Sequence, residues 1–483
     1  MLFNSIQFAI FLPIVFALYW VLNRNLRWQN VLLFAASYFF YAWWDWRFMF
    51  LLMFSTLLDF FTGMKMMEGG NQKMRTFWLW LSIVINLGFL GFFKYYNFFT
   101  ESFAELLNRF GLQANPWTLK VILPVGISFY TFHGLSYVID IYKRRIVAEK
   151  NFIDYAVFVS FFPLLVAGPI ERATHLLPQI KKPRAFDYEK AADGMRQILW
   201  GLFKKIVIAD NCAVYVNYVF KNYQTQPGSA LLLGAIFFAI QIYGDFSGYT
   251  DIALGTARLF GIELLRNFNF PYFSRDIAEF WRRWHISLTT WFRDYVYIPL
   301  GGSRVSKLKI VRNTFIIFLL SGFWHGANWT FIAWGGYHAA LFLPLILLNK
   351  NRKNINSVAE GRTLPNLKEV FQMSLTFGIV VIGWILFRAE TIHKAAQILR
   401  HIFSRSLLHR GLPLYVVDGK IAYTALLVNI IILFTVEWLQ RNKQHGLEIR
   451  QMNPWLRRLV YVLIILSIIL FMGQNQQFIY FQF

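Results

Sequence analysis

The sequence predicts an all-α polytopic membrane protein, and three observations predict it. Hydrophobic residues make up 57% of the chain and charged residues only 15%, against roughly 45–50% and about 25% in soluble domains. The apolar residues are gathered into long, nearly uncharged runs: Ile6 to Leu22, Ala230 to Tyr243, Phe371 to Leu386, Ile421 to Leu439 and Leu459 to Met472. A helix needs roughly 17–25 apolar residues to cross the hydrocarbon core, and these runs meet or approach that length. The basic residues, finally, sit in the short breaks between the runs. No polar linker separates soluble domains, so residues 1–483 read as a single membrane domain.

The elements follow in order. The first run carries neither a basic leader nor a small-residue cleavage site, so it reads as a permanent helix rather than a signal peptide. Arg24 and Arg27 behind it place residues 23–30 inside and Met1 outside. Residues 31–64 make two crossings joined by the aromatic turn YAWWDWRF, after which Lys65, Lys73 and Arg75 return the chain inward. KYYNFF (94–99) and NPW (115–117) read as interfacial breaks, because Tyr and Trp favour the headgroup zone. IYKRR (141–145) and KKPR (181–184) mark further inner loops. Between them, FVSFFPLLVAGPIER (158–172) is too short and too broken by Pro163, Gly168 and Pro169 to span straight. It reads as a re-entrant or kinked helix, tolerated at membrane depth where protein or a water cavity covers its backbone. SRVSKLKIVR (303–312), KNRK (350–353) and the cluster Arg441, Lys443, Arg450, Arg457 and Arg458 are inner as well. Residues 394–410 carry Lys394, Arg400, Arg405 and Arg410 between two spans and read as an amphipathic helix lying in an interface. The count comes to about 10 or 11 crossings plus shorter pieces, leaving the tail 473–483 outside.

The charge balance is +23, from 48 Lys+Arg against 25 Asp+Glu. Basic residues confined to loops between apolar runs are the pattern of cytoplasmic loops facing anionic lipid. A nucleic-acid partner is excluded by the same distribution, since it calls for a basic soluble face. The single cysteine, Cys212, excludes a disulfide framework and a cysteine-rich metal site.

Ionisable groups within such a chain are functional candidates by default. YGDFSGYTDIALG (243–255) holds Asp245 and Asp251 with Ser247. FWRRWHISLTTWFRDYVYIPLGGSR (280–304), with Arg275, Asp276 and Glu279 just ahead of it, supplies Arg282, Arg283, His285, Arg293 and Asp294. SGFWHGANW supplies His325 with Trp324, Asn328 and Trp329, followed by His338. The plain reading of the first two groups is an ion-pair network in which Arg282 or Arg283 neutralises Asp245 or Asp251 and Arg293 pairs with Asp294. The plain reading of Trp281, Trp284, Trp291 and Phe292 is an interfacial aromatic belt. His133, His338 and His393 read as hydrogen-bonded core histidines. His325 differs, because Gly322 and Gly326 are expected to leave open space beside its ring, and a neutral imidazole is the natural general base for a hydroxyl. Metal binding fits poorly: there is no His-Glu-x-x-His pair or cysteine cluster, and the acidic residues lie in separate segments. No Gly-x-Ser-x-Gly elbow, Walker loop or dinucleotide fingerprint occurs, and GGSR (301–304) is a weak anion-binding turn.

At EFWRRWHISLTTWFRDYVYIPLGGSR, SGFWHGANWTFIAWGGYH, IYGDFSGYTDIA and FPLLVAGPIER the chain resembles the bacterial branch of the membrane-bound O-acyltransferase superfamily, the branch of alginate O-acetylation. The resemblance extends from MLFNSIQF at the start to FIYFQF at the end. It implies a ring of tilted helices with short re-entrant helices around a central tunnel. It also implies acyl transfer in a bacterial inner membrane, from a cytoplasmic thioester to a hydroxyl reached from outside. The donor it implies is acetyl-CoA, used as substrate with no resident cofactor or metal, and the acceptor is an extracytoplasmic polysaccharide such as alginate. On that pattern His325 matches the essential histidine and His285 its upstream polar partner.

Acyl transfer needs a base, donors for the developing oxyanion and exclusion of water. His325 supplies the base, and His285 or an indole N–H of Trp284 or Trp324 the oxyanion donor. Arg282 and Arg283, with Asn328, are candidates for the donor mouth or the tunnel wall. Relatives on this pattern work with extracytoplasmic serine-hydrolase-like partners, which makes Tyr480 in the aromatic tail a candidate acyl relay. Its plain reading is an interfacial anchor. The competing readings are acetylation of peptidoglycan or another exopolysaccharide, a non-catalytic subunit of an export complex, and a secondary transporter. A transporter calls for repeats that the sequence does not contain.

Overall fold

The computed structural model of the chain describes every residue except Gly69, 410–416, Asp418, 473–475, Gln477 and 480–483. All regular structure among the described residues is helical. Seven helical stretches there are long and apolar enough to cross a membrane: Trp46–Glu68, Gln72–Arg109, Gly228–Leu259, Trp329–Leu347, Leu367–Arg388, Lys420–Leu439 and Pro454–Phe471. Ile6–Val21 is a shorter apolar helix beside them, so the described residues hold seven candidate spans where the sequence suggests 10 or 11. The chain is a multi-pass membrane protein. Its contacts group it into two compact units, Met1–Gly194 with Ala253–Leu265, and Met195–Ile252 with Arg266–Phe483.

The first unit begins with α1 (Ile6–Val21), α2 (Leu26–Ala42) and α3 (Trp46–Glu68), so the aromatic turn does separate two helices. α4 (Gln72–Leu90) runs through a π-helical turn at Gly91–Tyr95 into α5 (Tyr96–Arg109). KYYNFF is therefore a widened turn inside one continuous helix and not a break. After α6 (Ile127–Tyr142) come α7 (Phe152–Ser160) and the single turn α8 (Phe162–Leu165). These are the short, broken pieces expected around Pro163, and every residue from Asp154 to Leu165 is buried. The backbone N–H freed at the break is satisfied inside the protein, since Phe162 N donates to Ser37 Oγ at 3.0 Å, as non-helical backbone at membrane depth requires. α9 (Ala173–Ile180) and the start of α10 (Tyr188–Leu202) complete the unit. His133 is the core residue expected, its Nε2 accepting the Glu171 N–H at 3.1 Å.

In the second unit α10 passes through a π-helical stretch, Phe203–Ala209, into α11 (Asp210–Lys221), against which lies α12 (Gly228–Leu259), whose residues up to Ile252 belong to this unit. Gly244 and Gly248 let the two backbones approach. A Cβ at Gly248 would stand 2.8 Å from Gly201 O and 3.1 Å from Lys205 N, the small-xxx-small logic of membrane helix packing. The π turn widens the helix so that consecutive lysines both reach α12. Lys204 Nζ lies 2.5 Å from Asp251 Oδ2 and 2.9 Å from Ser247 Oγ, and Lys205 Nζ lies 2.7 Å from Asp245 Oδ1. The aspartates are ion-paired, as the plain reading holds, but to lysines of a packed neighbour and not to Arg282 or Arg283. The remaining helices are α13 (Ile277–Arg283), α14 (Ile286–Phe292), α15 (Lys307–His325), α16 (Trp329–Leu347), α17 (Leu367–Arg388), α18 (Ile392–Ile402), α19 (Lys420–Leu439) and α20 (Pro454–Phe471). α18 is amphipathic as expected, burying Ala395, Ile398 and Ile402 on one face.

Candidate active site

Two chain features bring the candidate histidines together. α13 is capped by Asp276, whose carboxylate accepts the Glu279 N–H at 2.7 Å, and it ends after Arg283. The chain then turns through His285 in the left-handed region, φ 43° and ψ 54°, before α14 starts. For a residue with a Cβ this conformation is costly, and the surroundings hold it: His285 is 1% exposed. His325 is the last residue of α15, which stops because Gly326 is extended. The two imidazole centroids stand 6.4 Å apart.

The His285 tautomer follows from its neighbour. Asn267 Oδ1 accepts the Ser287 N–H at 3.3 Å and the Ser287 hydroxyl at 2.9 Å. A backbone N–H is an obligate donor, so the accepting atom is the amide oxygen, and His285 Nδ1, 3.0 Å from it, carries a proton. Nε2 is left as a lone pair, buried and with no hydrogen-bond partner among the described residues. His285 lies outside the seven spanning helices, and burial pushes its imidazole down to about 3. It is neutral at physiological pH.

His325 is enclosed by rings. Trp324 is 4.9 Å away, Trp334 5.1 Å edge-on and Phe387 5.3 Å edge-on, by centroid. Gly322 and Gly326 do not leave open space beside it. A Cβ at Gly322 would stand 2.2 Å from Phe331 O, and one at Gly326 2.1 Å from Phe331 Cε2. The glycines let α16 close against α15 and seat Trp334 on the histidine. The tryptophans do not form a belt. Trp281, Trp284, Trp291 and Phe292 are all buried, because the rings pack on one another. Trp284 lies 5.0 Å from Trp384 and Trp281 lies 5.6 Å from Trp334.

The other expected residues take defined places. Arg282 donates to the backbone oxygens of Asn351 and Asn354, pinning the loop after α16. Arg283 pairs with Glu279 at 2.9 Å, and Arg293 pairs with Asp294 at 2.6 Å as expected. Asn328 caps α16 through its side-chain oxygen and donates to Glu390 O at 3.0 Å. A polar cavity of about 350 Å³ opens beside the pinned loop, lined by Arg275, Lys353, Asn354, Arg362, Glu360 and Glu369 among others. Tyr480 lies outside the described residues. Two neighbours of the histidine pair, Asn267 and Trp334, are not singled out by the sequence. Asn267 fixes the tautomer. Trp334 holds a buried indole N–H with no hydrogen-bond partner among the described residues. His338, read as a core residue, joins the same cluster 5.0 Å from both Trp281 and Trp334. A Trp and a His four apart in WGGYH was the available signal, since they share a helix face.

Known proteins similar to this chain share one family. The family described as MBOAT, membrane-bound O-acyltransferase, matches residues 142–387, which contain both histidines. The probable alginate O-acetylase AlgI of Pseudomonas aeruginosa is 42% identical over 409 residues, 84% of this chain and 75% of its own length. The peptidoglycan O-acetyltransferase of Helicobacter pylori is 32% identical over 100% of this chain and 98% of its own. The teichoic acid D-alanyltransferase of Bacillus subtilis is 30% identical over 56% of this chain and 69% of its own.

Proposed function

Because the chain belongs to the membrane-bound O-acyltransferase family, and is thereby a multi-pass membrane acyltransferase, we propose that it carries an acetyl group from cytoplasmic acetyl-CoA across the bacterial inner membrane for O-acetylation of an extracytoplasmic polysaccharide such as alginate. The observation that carries this reading is the enclosed His285–His325 pair, with centroids 6.4 Å apart. His325 takes the proton of the acceptor hydroxyl as its oxygen attacks the thioester carbonyl. The tetrahedral oxyanion collapses, the C–S bond breaks, and the thiolate leaves with the proton that His325 holds. Neutral His285 offers its Nε2 lone pair to the imidazolium formed on His325, which steadies that charge. The oxyanion is held by indole N–H donors, of which Trp334 is the best supported, being buried and 5.1 Å from His325. The ring cluster excludes water, so hydrolysis does not compete.

The acceptor is the polymer itself, or Tyr480 acting as a relay to a serine-hydrolase-like partner outside. An aryl ester on a phenol is activated enough to be handed on. Peptidoglycan is the second reading for the polymer, favoured by the end-to-end match to the Helicobacter pylori enzyme. The test is radiolabelled acetyl-CoA supplied to the inner face of membrane vesicles. Label is expected in polymer, and in the C-terminal peptide when polymer and partner are withheld. Release of thiol with no acetylated product would overturn the reading, and label retained in polymer by Tyr480→Phe would remove the relay.

A further inference from the structure

Beyond α20, Gln476, Phe478 and Ile479 lie against the protein. Phe478 and Ile479 are buried in the second unit, at 1% and 2% exposure. Polar and ring contacts hold them together with Gln476. The Ile479 N–H donates to Asp245 Oδ2 at 2.7 Å, and Lys205 Nζ donates to Gln476 O at 3.3 Å. The Phe478 ring lies 4.8 Å from Tyr249 and 6.3 Å from Phe246, whose ring in turn stands edge-on to His285 at 4.7 Å.

The groups that receive the tail are otherwise unused by the reaction. Lys205 Nζ sits 2.7 Å from Asp245 Oδ1 and 2.8 Å from Asp210 Oδ1, and all three side chains are buried. A buried ion cluster is no better for stability than apolar packing and is often worse. What it supplies is direction. The lysine holds one Asp245 oxygen, so the other faces a single backbone amide. Charge-assisted hydrogen bonds of this kind are the strong ones, and Asp245 is carried on the same helix as Phe246 and Tyr249.

We propose that Lys205, Asp210 and Asp245 form a seat that docks Gln476, Phe478 and Ile479 and so positions Phe478 against Phe246, the ring that stands on His285. They are positioning residues. The consequence for acetyl transfer rests on the function proposed above, whereas the docking itself does not. Asp245→Ala removes the acceptor but leaves Lys205 paired with Asp210, so the lysine is not stranded. Ile479→Pro removes the donor N–H along with the isoleucine side chain and leaves the three residues of the seat unchanged.

The experiment is thiol labelling of the full-length protein. The one native cysteine, Cys212, is fully buried. A cysteine placed at Ile479 or Phe478 is expected to react slowly with a small maleimide. Asp245→Ala should speed labelling of Ile479→Cys by at least ~10-fold, and Ile479→Pro should do the same for Phe478→Cys, since each removes a charge-assisted hydrogen bond that closes the docked state. Asp245→Asn, which keeps an acceptor oxygen, should fall between. In the transfer assay Asp245→Ala should lower kcat with KM for acetyl-CoA unchanged. Labelling as slow as the parent in both the Asp245→Ala and Ile479→Pro proteins would overturn the seat. Fast labelling with an unchanged kcat would overturn its positioning role. If the parent transfers no acetyl group at all, the labelling rates still report on the seat, so the two failures are told apart.

Discussion

Gly322→Ala tests how tightly α16 must close on α15 to build the site. The added Cβ would stand 2.2 Å from the Phe331 carbonyl oxygen and 3.1 Å from its carbonyl carbon. Carbon–oxygen contacts settle at roughly 3.3 Å or more, so the two helices must part by about 1 Å, and the obstacle is backbone that no rotamer change can move aside. Overpacking of this kind costs about 1–3 kcal/mol, offset in part by up to about 1 kcal/mol of helix propensity. The functional cost is larger, because α16 carries Trp334 against His325, and a misplacement near 1 Å can lose ~10²-fold in rate. Gly336→Ala is the control on α16, where the nearest atom to a new Cβ is Leu319 Cδ2 at 3.8 Å. Transfer from labelled acetyl-CoA should fall by ~10²-fold in Gly322→Ala and stay near parental in Gly336→Ala, with thermal unfolding in detergent lowered only in the former. Matching activity and unfolding temperature in the two variants would refute the reasoning.

Two further predictions follow from the site and its surroundings. His285→Asn should retain more transfer than His285→Ala, because an amide oxygen can still accept a hydrogen bond where Nε2 does; equal and complete loss in both would point to a required titrating group. His175 is half-buried against Glu171, 2.8 Å from its carboxylate, and that hydrogen bond raises the imidazole above its ordinary value. A raised folded value means that the contact stabilises fully below the ordinary histidine range near roughly 6.5 and fades as pH rises through the raised value. The gap in unfolding temperature between the parent and His175→Gln should therefore narrow from about pH 5 to about pH 9; a gap that widens would contradict the pairing.

The sequence spoke clearly where the signal was local. Apolar runs marked the spanning helices, and Pro163 marked the break between α7 and α8. His285 and His325 stood out as polar residues in aromatic surroundings. What stayed hidden depended on partners distant in sequence. Nothing local says that Asp245 and Asp251 meet Lys205 and Lys204, because a π-helical stretch must first turn both lysines toward α12. A tryptophan is equally at home in an interface and in a core, so the burial of Trp281 and Trp291 was not readable from composition. Gly322 and Gly326 showed the same ambiguity: a missing side chain marks either a space or a close approach, and only the position of Phe331 decides.

One substitution tests directly whether His325 is the base of an acetyl transfer. His325→Ala is measured for transfer from labelled acetyl-CoA in vesicles, alongside expression level and unfolding temperature. The protein should remain folded while its transfer rate falls by ~10²–10⁴-fold, the usual contribution of a general base. Transfer within a few-fold of the parent would contradict that role.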